Sequence, residues 1–208
     1  MDRVEIKEEA KKIIKTNKWN VWKPILVIAF LSFIISLVTS IMAAITDLDA
    51  KLTTSITESV IGFVLLPTTV GLCAYFLKLV RGQKFELNDL KAYYPFFFKI
   101  FVLDLLVSIF IALWSILLII PGIIAAISYE MVYFICVDKE ELTAIETIKE
   151  SKEMMKGYKM DYFIFELSFI GWIILTPFTL GLLLIWLVPY MTIAQALFYE
   201  KLKEKSKK

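Results

Sequence analysis

The chain of 208 residues contains no histidine and only two cysteines. The missing histidine excludes His-ligated metal centres, Ser-His nucleophilic catalysis and phosphatase mechanisms that need a histidine. Cys73 and Cys136 both lie in apolar segments, so they predict neither a disulfide framework nor a metal-ligand pair. No Walker A, GxGxxG or GxSxG sequence occurs. We therefore predict no cofactor and no metal, and we rank an enzyme last among the functions considered.

Charge is also missing from long stretches of the chain. Between Pro95 and Val137 only Lys99, Asp104 and Glu130 are charged. The whole chain is 59% apolar with a mean hydropathy of +0.72, well above the composition of soluble domains. Apolar runs of 18 or more residues indicate membrane-spanning helices. The fold class predicted is an all-α, polytopic integral membrane protein, and the net charge of +2 gives no reason to predict a nucleic-acid partner.

The number of membrane helices depends on how the two longest apolar runs fold. The candidate spans are Trp22–Ile45, Val60–Val80, Pro95–Val137 and Tyr162–Tyr199. A single helix over Pro95–Val137 would be about 64 Å long, roughly twice the ~30 Å hydrocarbon core. Turn residues divide both long runs, namely Pro121-Gly122 in the first and Pro177 with Gly181 in the second. This division predicts six transmembrane helices in three hairpins.

The placement of lysine and arginine supports the six-span prediction. Folding both long runs as hairpins places 22 of the 23 basic residues on one side, the cytoplasmic side by the positive-inside rule. Only Lys51 falls outside, beside Asp47 and Asp49. A single span at Pro95–Val137 would move the lysines of 138–161 to the outside, so we reject it. Both termini are predicted to be cytoplasmic.

Two of the predicted spans, Gly122–Val137 and Tyr162–Leu175, are short for a full crossing. Three alternatives are open for their hairpins: they are tilted less than usual, they thin the bilayer locally, or they stop short of its outer surface.

The predicted organisation is a single membrane domain over 1–208, in which surface helices alternate with hairpins. The segments are a cytoplasmic surface helix (1–18), hairpin 1 (22–80), a surface helix with hairpin 2 (85–137), a surface helix with hairpin 3 (138–202) and a basic tail (203–208). In the first segment, Ile6, Ala10, Ile13 and Ile14 share one helical face. That pattern is typical of a helix lying on a membrane surface, so the anionic inner leaflet is a predicted partner.

Three carboxylates, Asp104, Glu130 and Glu166, lie at similar depth within predicted membrane helices. A carboxylate buried in lipid is costly and is a functional candidate by default, so the three form a candidate site for a cation or a cationic partner. The alternative is that these helices extend below the bilayer and leave the carboxylates in the interface near Lys99. The interface alternative is favoured, because charges there carry little penalty.

Small residues recur every four positions on the first span, at Ser32, Ser36, Ser40 and Ala44. Such a stripe lets another helix approach closely. Packing within the same chain is the favoured interpretation, ahead of a dimer face or a substrate path.

From Pro121 onward the amino-acid sequence resembles that of a known family. The stretches IPGIIAAISYEMVYFICVD, SKEMMKGYK and LSFIGW are similar to the bacterial membrane proteins classified as domain of unknown function 975. This resemblance implies a six-helix protein of the bacterial plasma membrane and offers no catalytic residues to transfer.

Two functions remain in competition. The first is a non-catalytic binding protein or scaffold, for example a protection factor against membrane-active cationic peptides, whose partners are the bilayer and another membrane protein or a peptide. The second is a transporter or channel component that uses the three carboxylates for a cation.

Overall fold

The computed structural model describes residues 2–46 and 49–206, and within those ranges it is helical and has no strand. Met1, Asp47 and the last two lysines of the predicted basic tail lie outside the described residues. The ten α-helices are α1 (Arg3–Thr16), α2 (Lys18–Thr46), α3 (Ala50–Val80), α4 (Phe97–Leu117), α5 (Ile119–Tyr129), α6 (Val132–Asp138), α7 (Ala144–Met154), α8 (Lys159–Leu167), α9 (Ile170–Leu175) and α10 (Leu182–Ser206). Short 3-10 helices at Leu87–Lys91 and Tyr94–Phe96 precede α4, and a third at Pro177–Thr179 follows α9.

Five helical segments of the described chain are long and apolar enough to cross a membrane. They are Lys18–Thr46, Ala50–Val80, Leu87–Leu117, Ile119–Asp138 and Leu182–Ser206. The all-α class predicted from composition is therefore confirmed for the described residues, and these five apolar segments support the predicted membrane character. The remaining predicted span, Tyr162–Leu175, is divided between α8 and α9. Neither of these helices alone is long enough to cross a membrane.

Helix α3 begins ten residues before the predicted start of its span at Val60. The side chain of Asp49 caps it by accepting hydrogen bonds from the backbone N–H groups of Lys51 and Leu52. The polar sequence that follows lies before the predicted span. It continues the helix from the Asp49 cap, and its serine and threonine hydroxyls are satisfied by carbonyls one turn earlier, as Thr54 is by Ala50.

The chain folds back between α4 and α5 a few residues before the predicted turn at Pro121-Gly122. Leu118 is extended, with φ −162° and ψ 147°, and it separates the two helices. Pro121 stands in the first turn of α5, where its missing N–H costs nothing. Gly122 lies so close to Ser115 that an added Cβ would be 3.0 Å from the Ser115 Cα. Residues seven apart in a continuous helix are separated by about 10 Å, so this contact requires the reversal.

Helix α1 forms as the amphipathic pattern predicts, but protein covers its apolar face. Asp2 caps the helix, and Ile6, Ala10 and Ile14 are buried in a core shared with α3, α6, α8 and α10. This face is therefore not available to the bilayer. The pattern of one amphipathic helix cannot distinguish a lipid surface from a neighbouring apolar helix as its partner.

Helix α7 starts at Ala144, six residues after the start of the predicted segment 138–202. Thr143 and Glu146 form a reciprocal capping box at its first turn. Asp138, the acidic residue that opens this segment, instead ends α6.

Two apolar cores hold the helices together, and α3 contributes to both. The first joins α1, α3, α6, α8 and α10, and the second joins α3, α4, α5, α6 and α7. Helix α10 continues to Ser206, so residues 203–206 of the predicted basic tail are helical.

Candidate functional site

Two breaks in helical segments position the candidate site. One lies at Glu130-Met131, between α5 and α6, and the other lies at Ser168-Phe169, between α8 and α9. At the second break the Ser168 hydroxyl donates to the carbonyl of Phe165. The Lys7 ammonium from α1 donates to the Ser168 carbonyl over 3.0 Å. The Ser168 carbonyl lies at the helix break and has no partner within a described helix, so Lys7 supplies its hydrogen bond. Backbone polar groups that are kept from water need such a partner.

Glu130 and Glu166 meet at one side chain, Gln195 of α10. The Gln195 Nε2 is 3.5 Å from Glu130 Oε1 and 3.2 Å from Glu166 Oε1, and it also donates to the Tyr162 hydroxyl over 3.2 Å. The Tyr162 hydroxyl is close enough to both carboxylates to interact with them electrostatically. We call Glu130 and Glu166 the carboxylate pair. Tyr162 is buried, Glu166 and Gln195 are half-buried and Glu130 is exposed, so the pair is accessible from the Glu130 side.

Neither member of the carboxylate pair forms an ion pair with any residue that the structure describes. Lys7 is close enough to Glu166 to interact electrostatically, but its ammonium is engaged by the Ser168 carbonyl and lies 4.2 Å from the centre of the Phe169 ring. Burial lowers the pKa of Lys7, the neighbouring Lys11 and Arg3 lower it further, and Glu166 opposes them. Two carboxylates share one neutral amide donor, so the pair is a centre of negative charge able to take a cationic group.

Asp104 is held by a different partner. Its Oδ1 accepts a hydrogen bond of 2.6 Å from the Tyr133 hydroxyl, and both residues are half-buried. The structure thus joins two of the three predicted carboxylates through Gln195 and binds the third to Tyr133. Across the described ranges, no group of three or more histidine, cysteine, aspartate or glutamate side chains could hold a metal ion.

The predicted small-residue stripe on α2 is divided between two environments. Ser32 and Ser36 are half-buried, whereas Ser40 and Ala44 are exposed. The face of α2 that packs against α3 includes Thr39 and the buried Ala43 instead. The Thr39 hydroxyl accepts a 2.7 Å hydrogen bond from the Thr57 hydroxyl of α3. Positions four apart advance by about 40° around a helix, so a strict four-residue repeat turns away from a straight neighbour.

A second charged site, absent from the sequence prediction, joins the ends of α3, α6 and α10. Arg81 donates to both carboxylate oxygens of Asp138 at 2.7 Å and to Glu200 Oε1 at 2.9 and 2.5 Å. Tyr199 and Lys203 also donate to Asp138, at 2.9 and 2.5 Å. The hydrogen bond from Arg81 to Asp138 is the main reason that the pKa of Arg81 is raised. We call these five residues the Arg81 network, and their contacts indicate a structural role.

Sequence reasoning missed Gln195, Tyr162 and Lys7 as companions of the carboxylate pair. Gln195 offered a usable signal, since it is the only amide side chain between Leu182 and Tyr199 of an apolar helix. Polar side chains in membrane helices usually bond to another helix. Lys7 offered none, because it is one of several lysines in a charged segment 161 residues from its acceptor.

Comparison with known proteins places the chain in a family. No curated protein and no solved structure matches it. The sequence model described as "Protein of unknown function (DUF975)" matches residues 1–128 and 116–206, which together span nearly the whole chain. The resemblance expected from the stretches after Pro121 is therefore confirmed, and the chain belongs to the DUF975 family of proteins of unknown function.

Proposed function

We propose that the chain forms six membrane helices in three hairpins of a bacterial plasma membrane, with both termini in the cytoplasm. The five long apolar helices account for five of them, and α8 with α9 completes the third hairpin. The distribution of charge supports this arrangement, since 22 of 23 basic residues then lie on one side. Leu113 and Leu117 of α4 line one groove with Lys149 and Lys152 of the cytoplasmic segment. That contact favours an α4–α5 hairpin that stops short of the outer surface.

Within this arrangement, the protein acts as a non-catalytic binding protein whose carboxylate pair receives a cationic group. The observation that carries this proposal is the Gln195 amide shared by Glu130 and Glu166, with no ion pair to either carboxylate among the described residues. A cation placed between the half-buried Glu166 and the exposed Glu130 gains attraction from both carboxylates. A lysine side chain of a membrane-active peptide has the required charge, so scaffolding of such peptides or protection against them are suitable roles.

Peptide binding to purified protein tests this function directly. The full-length protein is placed in nanodiscs of zwitterionic phosphatidylcholine, and a synthetic amphipathic peptide of lysine and leucine is titrated in. We expect Glu130→Gln with Glu166→Gln to weaken binding about tenfold or more, because two charge-assisted contacts are lost while side-chain volume is kept.

Asp104→Asn is the matched control for this experiment. It removes one carboxylate from the same protein, but Asp104 is bonded to Tyr133 and is not joined to Gln195. Its peptide affinity should equal that of the unmodified protein. Equal affinity of the double amide variant and the unmodified protein would refute the binding role of the pair.

Transport of a cation is the second candidate function, and the two helix breaks favour it. Transporter sites are typically built where membrane helices are interrupted, because freed backbone groups and charged side chains meet there. Cation flux into proteoliposomes separates the two candidates. Flux that the double amide variant abolishes supports transport, whereas peptide binding without flux supports the binding function.

A further inference from the structure

An apolar groove lies between α4 and α7, away from the carboxylate pair. Its volume is about 580 Å³, within the range of pockets that hold small organic ligands. One wall is formed by four large side chains of α4, and Lys149 and Lys152 of α7 also line the groove. The four α4 side chains are Phe110, Leu113, Trp114 and Leu117.

The α4 wall is strongly exposed although it is apolar. Leu113, Trp114 and Leu117 have 55%, 48% and 69% of their surface accessible. They belong to a helical segment long and apolar enough to cross a membrane, so hydrocarbon chains are the natural covering for this surface. The groove therefore opens toward the lipid rather than toward water.

The two lysines give the groove two positive charges among otherwise uncharged lining residues. Lys149 and Lys152 are three residues apart on α7 and so lie on the same face of that helix. Both are exposed, and neither makes an ion pair with a residue in the described part of the chain. Glu146 is near enough to Lys149 to interact electrostatically, and it is itself hydrogen-bonded to Thr143 in the capping box.

We propose that this groove binds one anionic phospholipid. An acyl chain lies along the α4 wall, and the phosphate accepts hydrogen bonds from the ammonium groups of Lys149 and Lys152. Charge complementarity selects the headgroup, because a zwitterionic lipid would bring a third cation beside the two lysines. A free anion would leave the apolar α4 wall uncovered. A phospholipid matches both the apolar wall, through its acyl chain, and the two lysines, through its phosphate.

Lipid exchange into the purified full-length protein tests the proposal. Native mass spectrometry counts the bound lipid during titration with phosphatidylglycerol or phosphatidylcholine in detergent. The unmodified protein should retain one phosphatidylglycerol in preference to phosphatidylcholine. Replacing Lys149 and Lys152 together by glutamine should weaken retention by about fivefold for each lysine, the typical effect of one basic side chain near an anionic surface.

The control variant is Lys11→Gln with Lys12→Gln, which removes the same charge from exposed positions on α1. It should retain the preference for phosphatidylglycerol. Loss of the preference in this control, or its survival in the α7 variant, would overturn the proposal.

A second measurement uses Trp114 to locate the lipid. Phospholipids with brominated acyl chains quench nearby tryptophan, and the difference in quenching between the unmodified protein and Trp114→Phe isolates the contribution of Trp114. That contribution should be larger with brominated phosphatidylglycerol than with brominated phosphatidylcholine. The same contribution from both lipids would place the anionic lipid elsewhere.

Discussion

Replacing Asp138 by asparagine should destabilise the protein through the Arg81 network. Asp138 accepts hydrogen bonds from Arg81, Tyr199 and Lys203, and only 8% of its side-chain surface is exposed. Asparagine keeps the volume but removes the negative charge, and it presents an NH2 donor to groups that are themselves donors. The main effect is therefore electrostatic and not a cavity.

The expected loss is about 3 kcal/mol of unfolding free energy. Removing one partner of a buried ion pair costs about 3–5 kcal/mol, since it leaves the other charge without compensation. The lower end applies here because Glu200 remains bonded to Arg81, and because Arg81 and Lys203 are 21% and 31% exposed.

The assay is thermal unfolding in a mild detergent, in which a loss of this size lowers the Tm by roughly 6–12 °C for a chain of this length. Glu153→Gln is the control, because the Glu153–Lys156 pair is 3.7 Å apart with side chains 70% and 78% exposed. Such exposed pairs contribute at most about 1 kcal/mol. Equal Tm values for the Asp138 and Glu153 variants would refute the structural role of the network.

Three further substitutions test local features of the fold. Gly122→Val should lower the Tm strongly, since even a Cβ meets a backbone atom of α4 at 3.0 Å, whereas Gly62→Val, with open space around it, should not. Thr143→Ala should cost about 0.5–2 kcal/mol in the same unfolding assay by removing the α7 cap, and an unchanged Tm would contradict that role. Ser36→Leu should destabilise more than Val38→Leu, because Ser36 is half-buried and Val38 is 54% exposed, and equal Tm values would show that Ser36 does not contact α3.

Features that depend on local sequence could be predicted well. The apolar runs revealed the membrane-length helices, and the turn residues near Pro121 placed the reversal between α4 and α5 within a few residues. The amphipathic pattern of α1 gave the correct buried positions, such as Ile6 and Ala10. These properties follow from hydrophobic periodicity and helix-breaking residues.

Features that depend on distant residues could not be predicted. The break between α8 and α9 places the Ser168 carbonyl beside Lys7, which comes from the opposite end of the chain. Asp138 is the first residue of the predicted segment 138–202, yet it ends α6 and is bonded there to Arg81, 57 residues earlier. Glu130 and Glu166 could be proposed as neighbours from their depth, but Gln195 was needed to show how they meet.

The most direct test of the account is the side of the membrane on which its charged segments lie. Cysteine is introduced at Lys51, in the first turn of α3, and separately at Lys156, between α7 and α8, both exposed positions. Labelling with a membrane-impermeant maleimide is measured in intact and in permeabilised cells. The six-helix arrangement predicts that Lys51→Cys is labelled in intact cells and that Lys156→Cys is labelled only after permeabilisation. Labelling of Lys156→Cys in intact cells would contradict the six-helix arrangement.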